Sequence, residues 1–190
     1  MRARWLKALV AAAVLALLVP AAARSKDSGT PTFDLAGFFE GTSVSAGEVR
    51  TLFVVRDTFT ATFSGRREGN RLQLDERFVF SDGPRLQRWD LTVAGQEIAG
   101  TVETELRDGK LAPPVPVTGR RSATGAVLTY EGHAPGGGER LLAFRHEMTA
   151  NADGTVSNHV GIGKFGLRLA VSDVVFAKSA AALAAHLPPR

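Results

Sequence analysis

Three polar residues occupy positions that the alternating pattern otherwise gives to apolar residues, and they are the strongest candidates for chemistry in this chain. Glu76 has the same parity as the leucines and phenylalanines of residues 71–80, so a β-strand there would turn its carboxyl group inward. His146 and Asn158 hold equivalent positions on two later segments. An inward carboxyl group and an imidazole can serve as acid and base, or they can orient the polar end of a bound molecule.

Burial of Glu76 would have a physical consequence. An unpaired carboxylate costs several kcal/mol to bury, so it must find a cation, raise its pKa or face a wet cavity. Trp89, which precedes Leu91 and Val93 in the next alternating segment, joins the group as a fourth candidate. We therefore predict ligand-binding roles for Glu76, Trp89, His146 and Asn158. Each polar group could instead lie at a barrel mouth or bond to a neighbouring backbone with no ligand involved.

The sequence contains no motif typical of the other common kinds of active site. The chain has no cysteine, which excludes thiol catalysis, zinc–thiolate sites and iron–sulfur clusters. Its 4 histidines lack the spacing of a metal site, and no nucleophile elbow is present. Ser43, Ser45 and Ser64 are predicted to lie on the solvent face of strands. The sequence thus predicts no metal and no cofactor, and it does not by itself assign an enzyme activity.

The elements that must position these side chains are β-strands. Between residues 33 and 178, apolar and polar residues alternate between glycine-containing turns, a pattern typical of antiparallel hairpins. Nine or ten strands and no internal helix are expected, with residues 111–122 a loop because its prolines do not suit a central strand. We predict an all-β antiparallel meander that closes into a calycin- or lipocalin-like barrel of about 8–10 strands. A short helical tail is expected to follow.

The N-terminus has the pattern of a secretory signal peptide. Three basic residues precede an apolar run over residues 8–19, and Ala21 to Ala23 fit a cleavage site. The expected organisation is a signal peptide at residues 1–23, a disordered lead-in at 24–32, one barrel domain at 33–178 and an Ala-rich helical tail at 179–190. The mature protein is expected to be soluble and periplasmic, because no cysteine is available for lipid attachment.

Charge and aromatic content narrow the expected partners. The chain has 23 Lys and Arg against 19 Asp and Glu, and three of the basic residues lie in the leader, so the mature chain is nearly neutral. No nucleic-acid partner is expected, because basic residues do not cluster with aromatic ones. An outer-membrane barrel is disfavoured by 2 Trp and 1 Tyr and by a polar outward face. We therefore expect no stable membrane insertion, and the sequence does not indicate an oligomeric state.

Several short motifs occur in an order similar to that of one bacterial family. They are Phe38-Phe39-Glu40-Gly41, Leu74-Asp75-Glu76 with Phe78, Asp82-Gly83, Trp89, Asn158, Lys164-Phe165-Gly166 and Phe176-Ala177-Lys178. Together they resemble the family called domain of unknown function 3833, over most of the mature chain. The resemblance implies a short exported protein with a calycin-type barrel. It implies no catalytic residues, since the family has no established activity.

The chain departs from that family in three places. Many members are regarded as lipoproteins, but this chain lacks the cysteine that would carry the lipid. It has His146-Glu147-Met148 where an Asp-Trp-Met-like segment is expected, and it adds a tail beyond Lys178. The resemblance therefore does not extend to membrane anchoring, and it does not imply that this chain shares a ligand with the family.

The leading hypothesis for function is binding of a small apolar or amphipathic molecule, such as a lipid or fatty acid, inside the barrel. The alternatives are an enzyme acting on a lipid-like substrate through Glu76 and His146, and an envelope assembly or structural factor with no ligand. Binding predicts an internal cavity, the enzyme predicts a carboxyl group and an imidazole within hydrogen-bonding distance, and the assembly factor predicts a filled interior.

Overall fold

The computed structural model describes residues 33–51 and 56–186. The expected signal peptide and lead-in, residues 1–32, lie outside the described residues. Ten strands and two one-turn helices make up the structure, and their bounds are α1 Leu35–Phe39, β1 Gly41–Thr51, β2 Arg56–Glu68, β3 Arg71–Phe80, β4 Gly83–Ala94, β5 Glu97–Thr104, β6 Val115–Arg121, β7 Gly125–Gly132, β8 Leu142–Ala150, β9 Val156–Lys164, β10 Leu167–Ala177 and α2 Ala180–Ala184.

The strands form a closed antiparallel barrel. Each strand pairs with its neighbours in the sequence, and β1 pairs with β10 to complete the circle. In that closing pair Val44 lies opposite Ala177. The all-β barrel that the alternation predicted is therefore confirmed.

Antiparallel connectivity gives the barrel two different ends. The connections that follow odd-numbered strands, including the β9–β10 hairpin, lie at one end, which we call the hairpin end. Helix α1 and the connections that follow even-numbered strands lie at the other, which we call the α1 end. Each strand carries side chains alternately to the inside and the outside of the barrel.

Inward side chains fill the barrel with one apolar core. Its members include Phe63, Leu72, Val102 and Val117, all at most 2% exposed. The outward positions carry charged side chains that pair across strands: Arg71 donates to Asp90 through Nε at 2.8 Å. Such half-exposed pairs each contribute at most about 1 kcal/mol, so burial of the inward face accounts for most of the stability.

Helix α1 closes one end of the barrel, and the expectation of no internal helix was wrong. Asp34 caps it by accepting from the Gly37 amide at 3.0 Å, and Arg67 of β2 donates to the same carboxylate at 3.0 Å. Phe39 then reaches the core, with its ring centroid 5.3 Å from that of Phe63. A single turn is too short to show helical periodicity, so only the Asp cap signalled it.

The proline-rich segment also differs from expectation. Residues 111–122 were predicted to be a loop, but β6 occupies Val115–Arg121. Pro116 is the second residue of that strand, and the β6–β7 ladder begins only at Val117. The proline therefore lies at a strand end, where it removes fewer ladder bonds than it would in the centre.

Helix α2 packs on the outside of the closing strands. Ser179 caps it by accepting from the Ala182 amide at 3.2 Å, and Leu183 packs against Ala46 and Ala177. The expected helical tail is confirmed as far as Ala184, and residues 187–190 lie outside the described part of the chain. Neither described helix has the length and apolar character needed to cross a membrane.

Candidate functional site

A cavity of about 110 Å³ runs inside the barrel. The four residues predicted to bind a ligand, Glu76, Trp89, His146 and Asn158, all line it. They come from β3, β4, β8 and β9, so closure of the barrel brings together side chains that lie far apart in the sequence. The remaining wall is mostly apolar and extends from Leu35 and Phe39 of the α1 end to Phe80, Pro135 and Ile162 of the hairpin end.

Glu76 is buried, and no cation of the described residues pairs with it. It is 8% exposed and lies opposite Phe63 and Gln87 on the neighbouring strands. Burial raises its pKa to about 8, although a hydrogen bond from the Trp89 indole acts in the opposite direction. That bond joins Trp89 Nε1 to Glu76 Oε2 at 3.0 Å. Because this pKa lies above neutral pH, the Glu76 carboxyl group is mostly protonated at pH 7, and it faces the cavity.

His146 and Asn158 form a neutral pair on adjacent strands. Asn158 Nδ2 lies 3.2 Å from His146 Nδ1, and because an amide nitrogen only donates, Nδ1 accepts and the ring carries its proton on Nε2. Burial lowers the pKa of His146 to about 4. Two buried atoms of the pair, His146 Nε2 and Asn158 Oδ1, have no hydrogen-bond partner among the described residues. The pair therefore presents one free donor and one free acceptor.

Aromatic rings pack around this polar pair. The Trp89 ring stands edge-on to Tyr130 and His146, with centroids 5.5 and 5.8 Å away. Tyr130 stacks on Phe144 at 4.8 Å and on His146 at 5.7 Å. Burial raises the pKa of Tyr130 above its ordinary value, so its hydroxyl stays neutral. These rings fix the orientation of the imidazole and of the indole that holds Glu76.

The cavity has polar members that the sequence interpretation missed. Gln87, Tyr130 and Ser172 also line it, and the buried Ser172 hydroxyl has no hydrogen-bond partner within residues 33–51 and 56–186. Gln87 shares strand parity with Trp89, and Ser172 shares it with Val174, so the alternation that exposed Glu76 could have found both. The prediction for Ser43 and Ser45 was wrong: both are buried, because β1 turns these residues inward and Val44 outward.

The electrostatic character of the site restricts its chemistry. Among the described residues no lysine or arginine lines the cavity, and its acid and its imidazole are both uncharged at pH 7. No hydrogen bond joins Glu76 to His146 within the described part of the chain, so the arrangement expected of an acid–base pair is not present. Residues 33–51 and 56–186 also contain no cluster of three His, Asp or Glu side chains suited to a metal ion.

A protein-family model matches the part of the sequence that forms this barrel. The model described as protein of unknown function (DUF3833) matches residues 13–178. The chain belongs to this family. The matched region covers all ten strands of the barrel and the four candidate residues, in agreement with the order of motifs in the sequence. A comparison with curated proteins finds no match to this chain.

Proposed function

We propose that this DUF3833 protein binds a small amphipathic molecule with an uncharged polar end, which enters the cavity and bonds to His146 and Asn158. The free donor on His146 Nε2 and the free acceptor on Asn158 Oδ1 carry the proposal. Buried polar atoms are rarely left unpaired. A ligand hydroxyl group could pair with the donor and with the acceptor, because it accepts one hydrogen bond and donates another.

The absence of charge in the cavity favours an alcohol over a carboxylate. A fatty-acid anion would enter a site with no lysine or arginine on its described wall, and a buried carboxylate without a cation is costly. An alcohol requires no charge compensation. The protonated Glu76 adds a second neutral polar group near the aromatic wall.

Cavity size restricts the ligand further. At about 30 Å³ for each water-sized group, a cavity of about 110 Å³ holds only three or four such groups. Ligand pockets for drug-sized molecules start at about 300 Å³. The proposed ligand is thus a polar end with a short chain, and a longer chain would have to displace Phe80 and Pro135 at the hairpin end.

We also propose that the barrel functions after export, as a soluble periplasmic protein. The leader supports export, and the charged outward face, with pairs such as Arg71 and Asp90, supports solubility. Removal of residues 1–23 would leave Arg24 as the N-terminus. The intact mass of protein recovered from the periplasm measures that cleavage directly.

Native mass spectrometry of the same sample tests for a bound molecule. We expect an adduct on the wild-type protein and its loss in Asn158→Leu, which removes the free acceptor. Ser157→Val is the matched control, because residue 157 is the exposed neighbour on the same strand and should keep the adduct.

A defined ligand pair gives the sharper test. By NMR titration at pH 7, 1-propanol, whose four heavy atoms match the cavity volume, should shift the resonances of residues that line the cavity, while propanoate should not. Equal binding of propanoate would contradict the neutral site. Absence of both an adduct and propanol binding would mean that the interior is a packed core, as expected for a structural or assembly factor.

A further inference from the structure

The β9–β10 hairpin exposes large apolar side chains. Phe165 is 92% exposed and Leu167 is 68% exposed, and Leu141 and Leu169 beside them are also exposed. Isolated exposed apolar residues are ordinary, but a contiguous group marks an interaction site. The four residues form what we call the apolar tip, which projects from the hairpin end of the barrel.

The backbone holds Phe165 outward in an unfavourable conformation. Its φ is +52°, and it is the only non-glycine residue with positive φ in the described part of the chain. A bulky residue at positive φ is a genuine outlier, whereas asparagine or glycine is common there. Strain of this kind marks functional positions. Here the strained residue also has the most exposed of the large apolar side chains, so the stability of the fold does not explain why phenylalanine occupies this position.

A strand irregularity enlarges the same surface. The β9–β10 register shifts between Arg168 and Ala170, which leaves Leu169 as an extra residue on β10. Bulges at barrel rims redirect side chains, and here residues 167–169 are all exposed. The hairpin therefore presents two leucines and an arginine in succession beside the Phe165 ring.

Positive charge surrounds the apolar tip. Lys164 Nζ lies 5.2 Å from the centroid of the Phe165 ring and donates to the Leu141 carbonyl at 2.9 Å. The residues that line a groove beside the hairpin include Arg145, Lys164 and Arg168, and Glu131 is the one carboxylate among its described lining residues. Arg145 is paired with Glu147, whereas the Arg168 side chain makes no ion pair with any described residue. Apolar side chains flanked by free cations match the surface of an anionic bilayer.

We propose that the apolar tip docks the barrel reversibly on an anionic phospholipid surface. Phe165 and Leu167 enter the interface between headgroups and acyl chains, while Lys164 and Arg168 contact the phosphates. The protruding shape favours a lipid surface over a protein groove, because a narrow convex tip can enter a fluid interface but buries little area on a rigid partner. The proposal does not depend on whether the interior cavity binds a ligand.

Vesicle co-sedimentation tests the docking. The purified protein should bind vesicles of equal parts phosphatidylcholine and phosphatidylglycerol, and bind phosphatidylcholine vesicles weakly. Phe165→Asn should reduce binding on the order of tenfold, as expected for loss of one large apolar side chain from the interface. Arg168→Gln should reduce it about fivefold, and added salt should weaken wild-type binding.

Two variants keep the interpretation unambiguous. Asparagine tolerates positive φ, so Phe165→Asn should fold and melt no lower than the wild-type protein. Val79→Thr is the matched control: Val79 is exposed at the same end of the barrel but on β3, and its replacement should leave vesicle binding unchanged. Absence of vesicle binding, or equal binding by Phe165→Asn, would overturn the proposal. Concentration-dependent dimerisation that Phe165→Asn abolishes would assign the apolar tip to self-association instead.

Discussion

Replacement of Glu76 by glutamine should stabilise the protein at neutral pH, although it removes a buried hydrogen-bonding acid. Burial without a cation raises the pKa of Glu76 from 4.5 to about 8. At pH 7 the carboxyl group is therefore protonated in the folded state and ionised in the unfolded state. Folding at pH 7 must therefore bind a proton to a carboxyl group that is ionised in the unfolded chain, and this lowers the free energy of unfolding. Glutamine removes that cost, and its amide oxygen can still accept from Trp89.

The magnitude follows from the two pKa values of Glu76. Each pH unit is worth about 1.4 kcal/mol, so the gain from Glu76→Gln grows from near zero below pH 4.5 to about 3 kcal/mol at pH 7. It levels off at about 5 kcal/mol above pH 8. The glutamine NH₂ group needs an acceptor, and lack of one would subtract about 1–3 kcal/mol at every pH. The slope with pH, rather than the absolute difference, is therefore the diagnostic quantity.

Urea unfolding of both proteins at pH 4, 7 and 9 measures the free energy of unfolding and its difference. Other titrating groups cancel in that difference, and Glu131→Gln, at an exposed position, serves as the matched control. A Glu76→Gln variant that is less stable at pH 7 by the amount expected for a broken buried ion pair would refute the reasoning. A difference independent of pH would refute it equally.

Two further substitutions test the wall and the closed end of the barrel. His146→Gln should become more stable relative to the wild-type protein by about 3 kcal/mol as the pH falls from 6.5 to 4, because His146 of the unfolded wild-type chain takes up a proton over that range while burial holds the folded pKa near 4. Glu76 titrates alike in both proteins and cancels in the difference. Urea unfolding across that range measures the difference, and a difference that does not change with pH would contradict the prediction. Gly65→Ala should destabilise by at least about 1–3 kcal/mol, because the new Cβ would lie 1.9 Å from the Phe39 carbonyl oxygen of α1. Gly161→Ala is the matched control, because its Cβ meets nothing within 4 Å and the variant should be nearly as stable as the wild-type protein. Thermal melts compare the two variants, and equal melting temperatures would contradict the packing of α1 on β2.

Much of the interior could be predicted from the sequence because strand parity is a strict rule. Glu76, His146 and Asn158 lie on strands with no register shift at those positions, so alternation placed them on the inner face. Strand parity assigns a side chain to the inner or the outer face, but it does not show which strands pair, apart from those that are consecutive in the chain. The hydrogen bond from Trp89 to Glu76 depends on rotamers as well, and these are fixed only by packing.

Other features could not be predicted because they depend on the assembled barrel. Helix α1 is one turn long and is held by Arg67 and Lys178, which lie far from it in the sequence. The bulge in β10 interrupts the alternation, so the outward position of Leu169 follows from the structure alone. Pro116 was excluded from a strand by a rule for central positions, which does not hold at a strand end.

The pairing of β1 with β10 determines when folding can finish. These are the first and last strands of the barrel, so the contact between Val44 and Ala177 forms only after the whole barrel sequence has been synthesised. Until then β1 and the most recently formed strand both expose unpaired edges, which can join other chains. Contacts between residues so distant in sequence also form slowly, because the entropy of loop closure must be overcome first. The chain thus stays without a closed barrel until its last strand arrives, which suits a protein proposed to cross a membrane before it folds.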